Sequence, residues 1–93
     1  MSKFQLEGTP DGIAEALVES PGQWFVVGTA RRGDNQSLRT FAYRVKANRN
    51  AAFRRRAAAT GDGRWETTVR TDGAESLMYA RWVPGVGDGE MAS

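Results

Sequence analysis

Two alternating stretches, 64–71 and 76–83, flank the dipeptide Asp72-Gly73. An Asp-Gly pair between alternating runs is a strong signal for a β-hairpin. If the turn takes two residues, Thr71 faces Ala74, and Trp65, Thr67 and Val69 share a face with Met78, Ala80 and Trp82. A four-residue loop gives the same faces, because side chains alternate with a period of two. The spacing therefore predicts two indoles on one side of the hairpin and Arg64, Glu66, Thr68, Arg70, Tyr79 and Arg81 on the other. An isolated hairpin is marginal in water, so other elements must cover the tryptophans.

The remaining chain supplies candidates for that cover. Thr9-Pro10-Asp11 reads as a helix start, with a capping hydroxyl, a proline where no N–H is needed and an acid that suits the dipole. Ile13, Ala16, Leu17 and Ser20 then lie at helical spacing up to the break at Pro21-Gly22, with Glu15 and Glu19 outward. Lys3 to Glu7 carries a weak strand signal, and Gln23 to Ala30 a clear one, followed by a polar loop over 31–37. Leu38 to Lys46 alternates, with Phe41, Tyr43 and Val45 to one side and Thr40, Ala42, Arg44 and Lys46 to the other, which predicts another strand. A second helix is expected over Asn48–Thr60, capped by Asn48 or Asn50, with Phe53, Ala57 and Thr60 as its buried stripe and Gly61 after it. The sum is an α+β domain over 1–83 in the order αββαββ: a four- or five-stranded antiparallel sheet with two helices on one face. Residues 84–93, rich in Gly and acidic, read as a mobile tail.

Ninety-three residues suit one domain with a modest core. The chain has no cysteine and no histidine, which removes disulfides, thiolate and imidazole metal ligands and the commonest general base. No paired-acid spacing, nucleophile motif or phosphate-binding glycine loop occurs either, so neither catalytic residues nor a metal or other cofactor is expected. No apolar run approaches the ~20 residues of a membrane span and no signal-peptide pattern opens the chain, giving a cytoplasmic, membrane-free expectation. Eleven Arg against two Lys, with thirteen Ala and eleven Gly, look like the coding bias of a GC-rich genome. In that style the chain resembles an accessory protein of an actinobacterium or one of its phages.

A net charge of +2 conceals segregation. Residues 31–70 hold eleven basic side chains against Asp34, Asp62 and Glu66, whereas 1–30 and 71–93 each carry a net −3. Such a block is a candidate footprint for a polyanion, unless the acidic ends fold back on it. If both predicted hairpins share a sheet, Arg44, Lys46, Arg64, Arg70 and Arg81 fall on its outer face, where Tyr79 could stack on a base. The alternative is a solvated polar face with cross-strand pairs such as Arg70 and Glu75. Arg54, Arg55 and Arg56 form a second basic site on the helix side; three consecutive residues spread over about 200° of a helix and cannot all meet one flat partner.

Ala16-Leu17-Val18-Glu19-Ser20-Pro21-Gly22, followed by Gln23-Trp24-Phe25, resembles the helix-end motif of the LAGLIDADG homing endonucleases, and the αββαββ order is that family's core plan. Glu19 and Gly22 match in type, but Pro21 stands where the family places its metal-binding acid. The resemblance therefore implies a DNA-binding relative without the two-metal cleavage chemistry. Together these readings lead to a non-enzymatic accessory protein that binds nucleic acid through a basic sheet face or a basic helix. The rival is a protein-interaction module, in which acidic helix 11–20 meets basic segment 39–56 of a second copy, as a homodimer, or of a host protein.

Overall fold

The computed structural model describes residue 6 and residues 8–85. It is an α+β fold of three α-helices and, among the described residues, a three-stranded antiparallel sheet. The elements are α1 (Pro10–Glu19), β1 (Phe25–Arg31), a 3-10 turn (Arg32–Asp34), α2 (Asn35–Lys46), α3 (Ala51–Thr60), β2 (Gly63–Asp72) and β3 (Glu75–Pro84). β3 lies between β1 and β2. The expected four or five strands, two helices and αββαββ order give way to αβααββ. Of the predicted 84–93 tail, Pro84 is the last residue of β3 and 86–93 lie outside the described residues, as do 3–5 and 7 of the predicted 3–7 strand; the Leu6 N–H donates to the Val26 carbonyl at 2.9 Å.

The change of plan comes from one segment. Residues 38–46 are helix, not strand. Besides the alternation of Phe41, Tyr43 and Val45, the segment carries Leu38, Phe41, Ala42 and Val45 at i, i+3, i+4 and i+7, and that second period also gathers the apolar positions on one face. A strand would have turned Leu38 and Ala42 away from Phe41 and Val45; the helix buries Leu38, Ala42 and Val45 and half-buries Phe41. Asn48 closes it. With φ of 62° it takes the left-handed position after the helix, where its N–H donates to Val45 (3.1 Å) and the Arg49 N–H donates to Arg44 (2.7 Å). This is the Schellman arrangement, and asparagine is one of the few residues that enters it readily. Asn48 thus ends α2, and Asn50 caps α3, accepting from the N–H groups of Ala52 and Phe53 at 3.1 and 3.2 Å.

The other helix expectations hold with small shifts. Thr9 caps α1 by accepting from Gly12 at 3.2 Å, and Pro10 opens the first turn. The buried side of α1 is Ala14 and Leu17, with Ser20 exposed; on α3 it is Ala52 and Phe53, with Thr60 exposed.

The β2–β3 hairpin has the predicted faces. Trp65 lies opposite Trp82, Thr67 opposite Ala80 and Val69 opposite Met78. The ladder runs up to Asp72 opposite Glu75, so the turn residues are Gly73 and Ala74, one place beyond the Asp72-Gly73 pair, in the register of the four-residue alternative. Only Gly73 of the two has a positive φ, at 67°, as a type II′ turn requires at its first position. The buried residues of all three helices join Val27, Trp65, Met78, Ala80 and Trp82 in one core. The helices therefore cover the tryptophan face of the sheet, and among the described residues no helix lies on the other.

Candidate nucleic-acid interface

The predicted basic residues do not form one surface. Arg64, Arg70 and Arg81 stand on the outer face of the β2–β3 hairpin, as their parity requires. Arg44 does not join them, because α2 is a helix on the opposite side of the sheet; Lys46, at the end of that helix, lines the same clefts as Arg64 at the β2 edge. Arg44 and Lys46 both occupy the last turn of α2, where cations also complement the helix dipole.

The outer sheet face is largely self-satisfied. Glu66 accepts from Arg81 Nε at 2.8 Å and lies 2.6 Å from Arg81 Nη2, while its second oxygen accepts from Arg64 Nη2 at 2.8 Å. The hydrogen bond from Arg81, then that from Arg64, holds the Glu66 carboxyl below its ordinary range. The Arg81 guanidinium also sits 4.6 Å from the centre of the Trp24 ring. Tyr79 is only 4% exposed and packs with Val26 and Leu77, so the expected stacking platform is closed to a base. Arg64 and Arg70 remain exposed on this face.

On α3 the three consecutive arginines separate, as their angular spread demands. Arg55 pairs with Asp11 of α1 at 3.0 Å, Arg54 points to solvent, and Arg56 is half-buried. The Asp11 contact is where an acidic end meets the basic middle within the chain. Both partners are more than 60% exposed, so the pair contributes little, about 0–1 kcal/mol.

The helix α2 presents what the strand reading missed. Arg39, Tyr43 and Lys46 follow at i, i+4 and i+7, so they form one exposed stripe. Tyr43, read as core-facing in a strand, is 60% exposed, the large apolar residue most open to solvent among those described. The stripe borders a groove of about 390 Å³ whose other wall is Thr67, Thr68 and Val69 of β2. The helical spacing of Leu38, Phe41, Ala42 and Val45 was the signal that could have found it.

From Asn35 to Gly61 the chain has no carboxylate and seven cations. Of these, Arg39, Arg44, Lys46, Arg49 and Arg54 are exposed, and none forms an ion pair with another described residue. Among the described residues, no cluster of three or more Asp or Glu could hold a metal ion, and no helix is long and apolar enough to cross a membrane. No protein-family model matches the chain, and no curated protein or solved structure was found to be similar to it.

Proposed function

We propose that this is a non-enzymatic accessory protein that binds nucleic acid through its basic helices, with α2 as the principal contact. The observation that carries the reading is the exposed Arg39–Tyr43–Lys46 stripe within a 27-residue carboxylate-free segment. Exposed cations without acidic neighbours attract phosphates and release their counterions, and an aromatic ring among them adds a surface on which a base can stack. The outer sheet face supports the reading less, since Arg81 is engaged by Glu66 and Trp24, and Tyr79 is buried. The observed order is not the αββαββ plan, so the LAGLIDADG resemblance rests on the sequence of segment 16–22 alone; it makes duplex DNA the first nucleic acid to try.

The test is affinity for duplex and single-stranded DNA and RNA over a range of salt. Five phosphate contacts would give a slope of log affinity against log salt of about −4.5 on duplex DNA. Binding that ignores salt, or is absent at low salt, would remove the reading. A protein partner would then lead, with Glu15 and Glu19 on the exposed side of α1 as its natural contact.

A further inference from the structure

The two edges of the sheet are not alike. β1 carries a register shift between Val26 and Gly28, and its Val26 carbonyl already accepts from Leu6. Irregularities of this kind discourage pairing at an edge. β2 has none of them. It runs ten residues in unbroken register with β3, contains no proline and no lysine, and pairs with no other strand among the described residues. In a two-residue hairpin the closing pair, here Asp72 and Glu75, exchanges backbone hydrogen bonds, and alternation then directs the N–H and C=O groups of Trp65, Thr67, Val69 and Thr71 outward. A row of outward backbone groups on a long regular strand is a template for another strand.

The outer-face side chains of β2 specify which strand. In order they are Arg64, Glu66, Thr68, Arg70 and Asp72: plus, minus, neutral, plus, minus. Reversed, the series is its own complement. We propose that β2 pairs antiparallel with β2 of a second copy about a two-fold axis at Thr68, making a continuous six-stranded sheet. In that register Arg64 faces the partner's Asp72 and Glu66 faces the partner's Arg70, each pair extending the Arg64–Glu66–Arg81 network already present within the chain, and symmetry repeats both pairs. Opposite charges directly across a ladder favour pairing, and an isologous contact needs such a self-complementary patch. Sliding the two-fold axis to Thr67 sets Arg64 against the partner's Arg70, so the charges select one register over its neighbour.

On the helix side, the groove beside the β2 edge receives the partner's Thr67 and Val69. Arg39 and Lys46 of the two α2 helices oppose the approach, and a polyanion laid across both would relieve it. That last link rests on the nucleic-acid reading; the strand pairing does not.

The absence of cysteine makes the register directly testable. At the two-fold, Thr68 forms a non-hydrogen-bonded pair with its symmetry mate, with Cα atoms about 4.5 Å apart, within disulfide reach. Thr67 faces the partner's Val69, which leaves two Thr67 residues diagonal at about 7–8 Å, beyond easy bridging. The full chain is expected to sediment as a dimer, Thr68→Cys to form a covalent dimer on mild oxidation, and Thr67→Cys to stay uncoupled. Thr68→Lys, on the partly exposed outer face, should raise the dimer dissociation constant at least about fivefold by placing like charges at the axis. Its heparin retention should be undiminished, which separates this proposal from the function above. A monomeric parent chain, equal coupling of both cysteine variants, or a Thr68→Lys dimer as tight as the parent would each overturn the proposal. Should Thr68→Lys fail to fold, as seen by circular dichroism, the cysteine pair decides alone. Loss of nucleic-acid binding with the dimer intact would remove only the earlier reading.

Discussion

The two faces of the β2–β3 hairpin are built from alternate residues of the same strands, yet they are held by different physics. On the helix side, Phe41, Phe53, Trp65 and Trp82 form an edge-to-face series with ring centres 6.1, 4.9 and 4.8 Å apart. The Trp65 indole N–H donates to the Phe53 carbonyl at 3.2 Å, so its polar atom is satisfied in the core. On the other side, Glu66 ties Arg64 to Arg81, and Trp24 flanks Arg81. The first face depends on area removed from water; the second combines a smaller buried cluster of Val26, Leu77 and Tyr79, with Trp24 packed against it, and matched charges that water partly screens. Arginines on a sheet face can thus be occupied by one well-placed carboxylate, while most of the cations left open to a ligand, Arg39, Arg44, Lys46 and Arg54, stand on helices.

The sharpest test of that contrast is to truncate one indole. Trp65→Ala or Trp82→Ala should destabilise the domain by about 3–5 kcal/mol, enough to unfold a chain of this size, as read from urea denaturation. A loss under 1 kcal/mol at either would show that the helix side is not the dominant core. A finer probe is Gly63, which opens β2 with φ of 156°; a Cβ there would come within 2.2 Å of the Trp82 ring. Gly63→Ala should therefore cost about 1–3 kcal/mol through overpacking and a strained φ. Unchanged stability would mean that the indole moves aside freely.

The tryptophan face was legible from sequence because a period of two puts Trp65 and Trp82 on one face for a turn of either two or four residues around Asp72-Gly73. Segment 38–46 was not, because Phe41 and Val45 satisfy both periods at once. Only Leu38 and Ala42 break the tie, and only when burial of the whole segment is considered. The ambiguity reaches the function: a strand would turn Arg44 and Lys46 to one side and Tyr43 to the other, whereas the helix leaves all three exposed. The Glu66 network was half visible, since parity put Glu66 among arginines. The 15-residue separation of Glu66 and Arg81, fixed by the hairpin register, determined which arginine would bind it most closely.

On the outer face, Glu66→Gln should cost about 1 kcal/mol, since one charged network is weakened while its geometry survives. The pH dependence gives the sign. Because the folded state lowers the Glu66 pKa below its unfolded value of about 4.3, the network's contribution is fully present above that pH. It fades as pH falls through the folded pKa. The stability gap between parent and Glu66→Gln should accordingly close in acid and remain constant from pH 6 upward. A gap that persists in acid would mean that the glutamate acts by packing and not by charge.

The smallest effect on stability should accompany the largest on binding. Arg39, Arg44 and Lys46 are exposed on α2 and form no ion pair among the described residues. Changing each to Gln should shift stability by no more than about 0.5 kcal/mol per site, with Arg44 and Lys46 losing a little dipole complementarity at the helix end. The same triple variant should weaken duplex binding and flatten the salt slope by about 2.7, at roughly 0.9 per lost phosphate contact. Arg64→Gln with Arg70→Gln serves as the opposing pair: if the outer face is the ligand surface after all, these two should flatten the slope by about 1.8 and the helix variant should leave it intact. The slope discriminates better than affinity alone, because a general loss of positive charge weakens binding in both variants. Only the surface that touches phosphates loses released counterions in proportion to the cations removed, so a proportional fall in slope for the α2 triple alone would assign the contact to the helix.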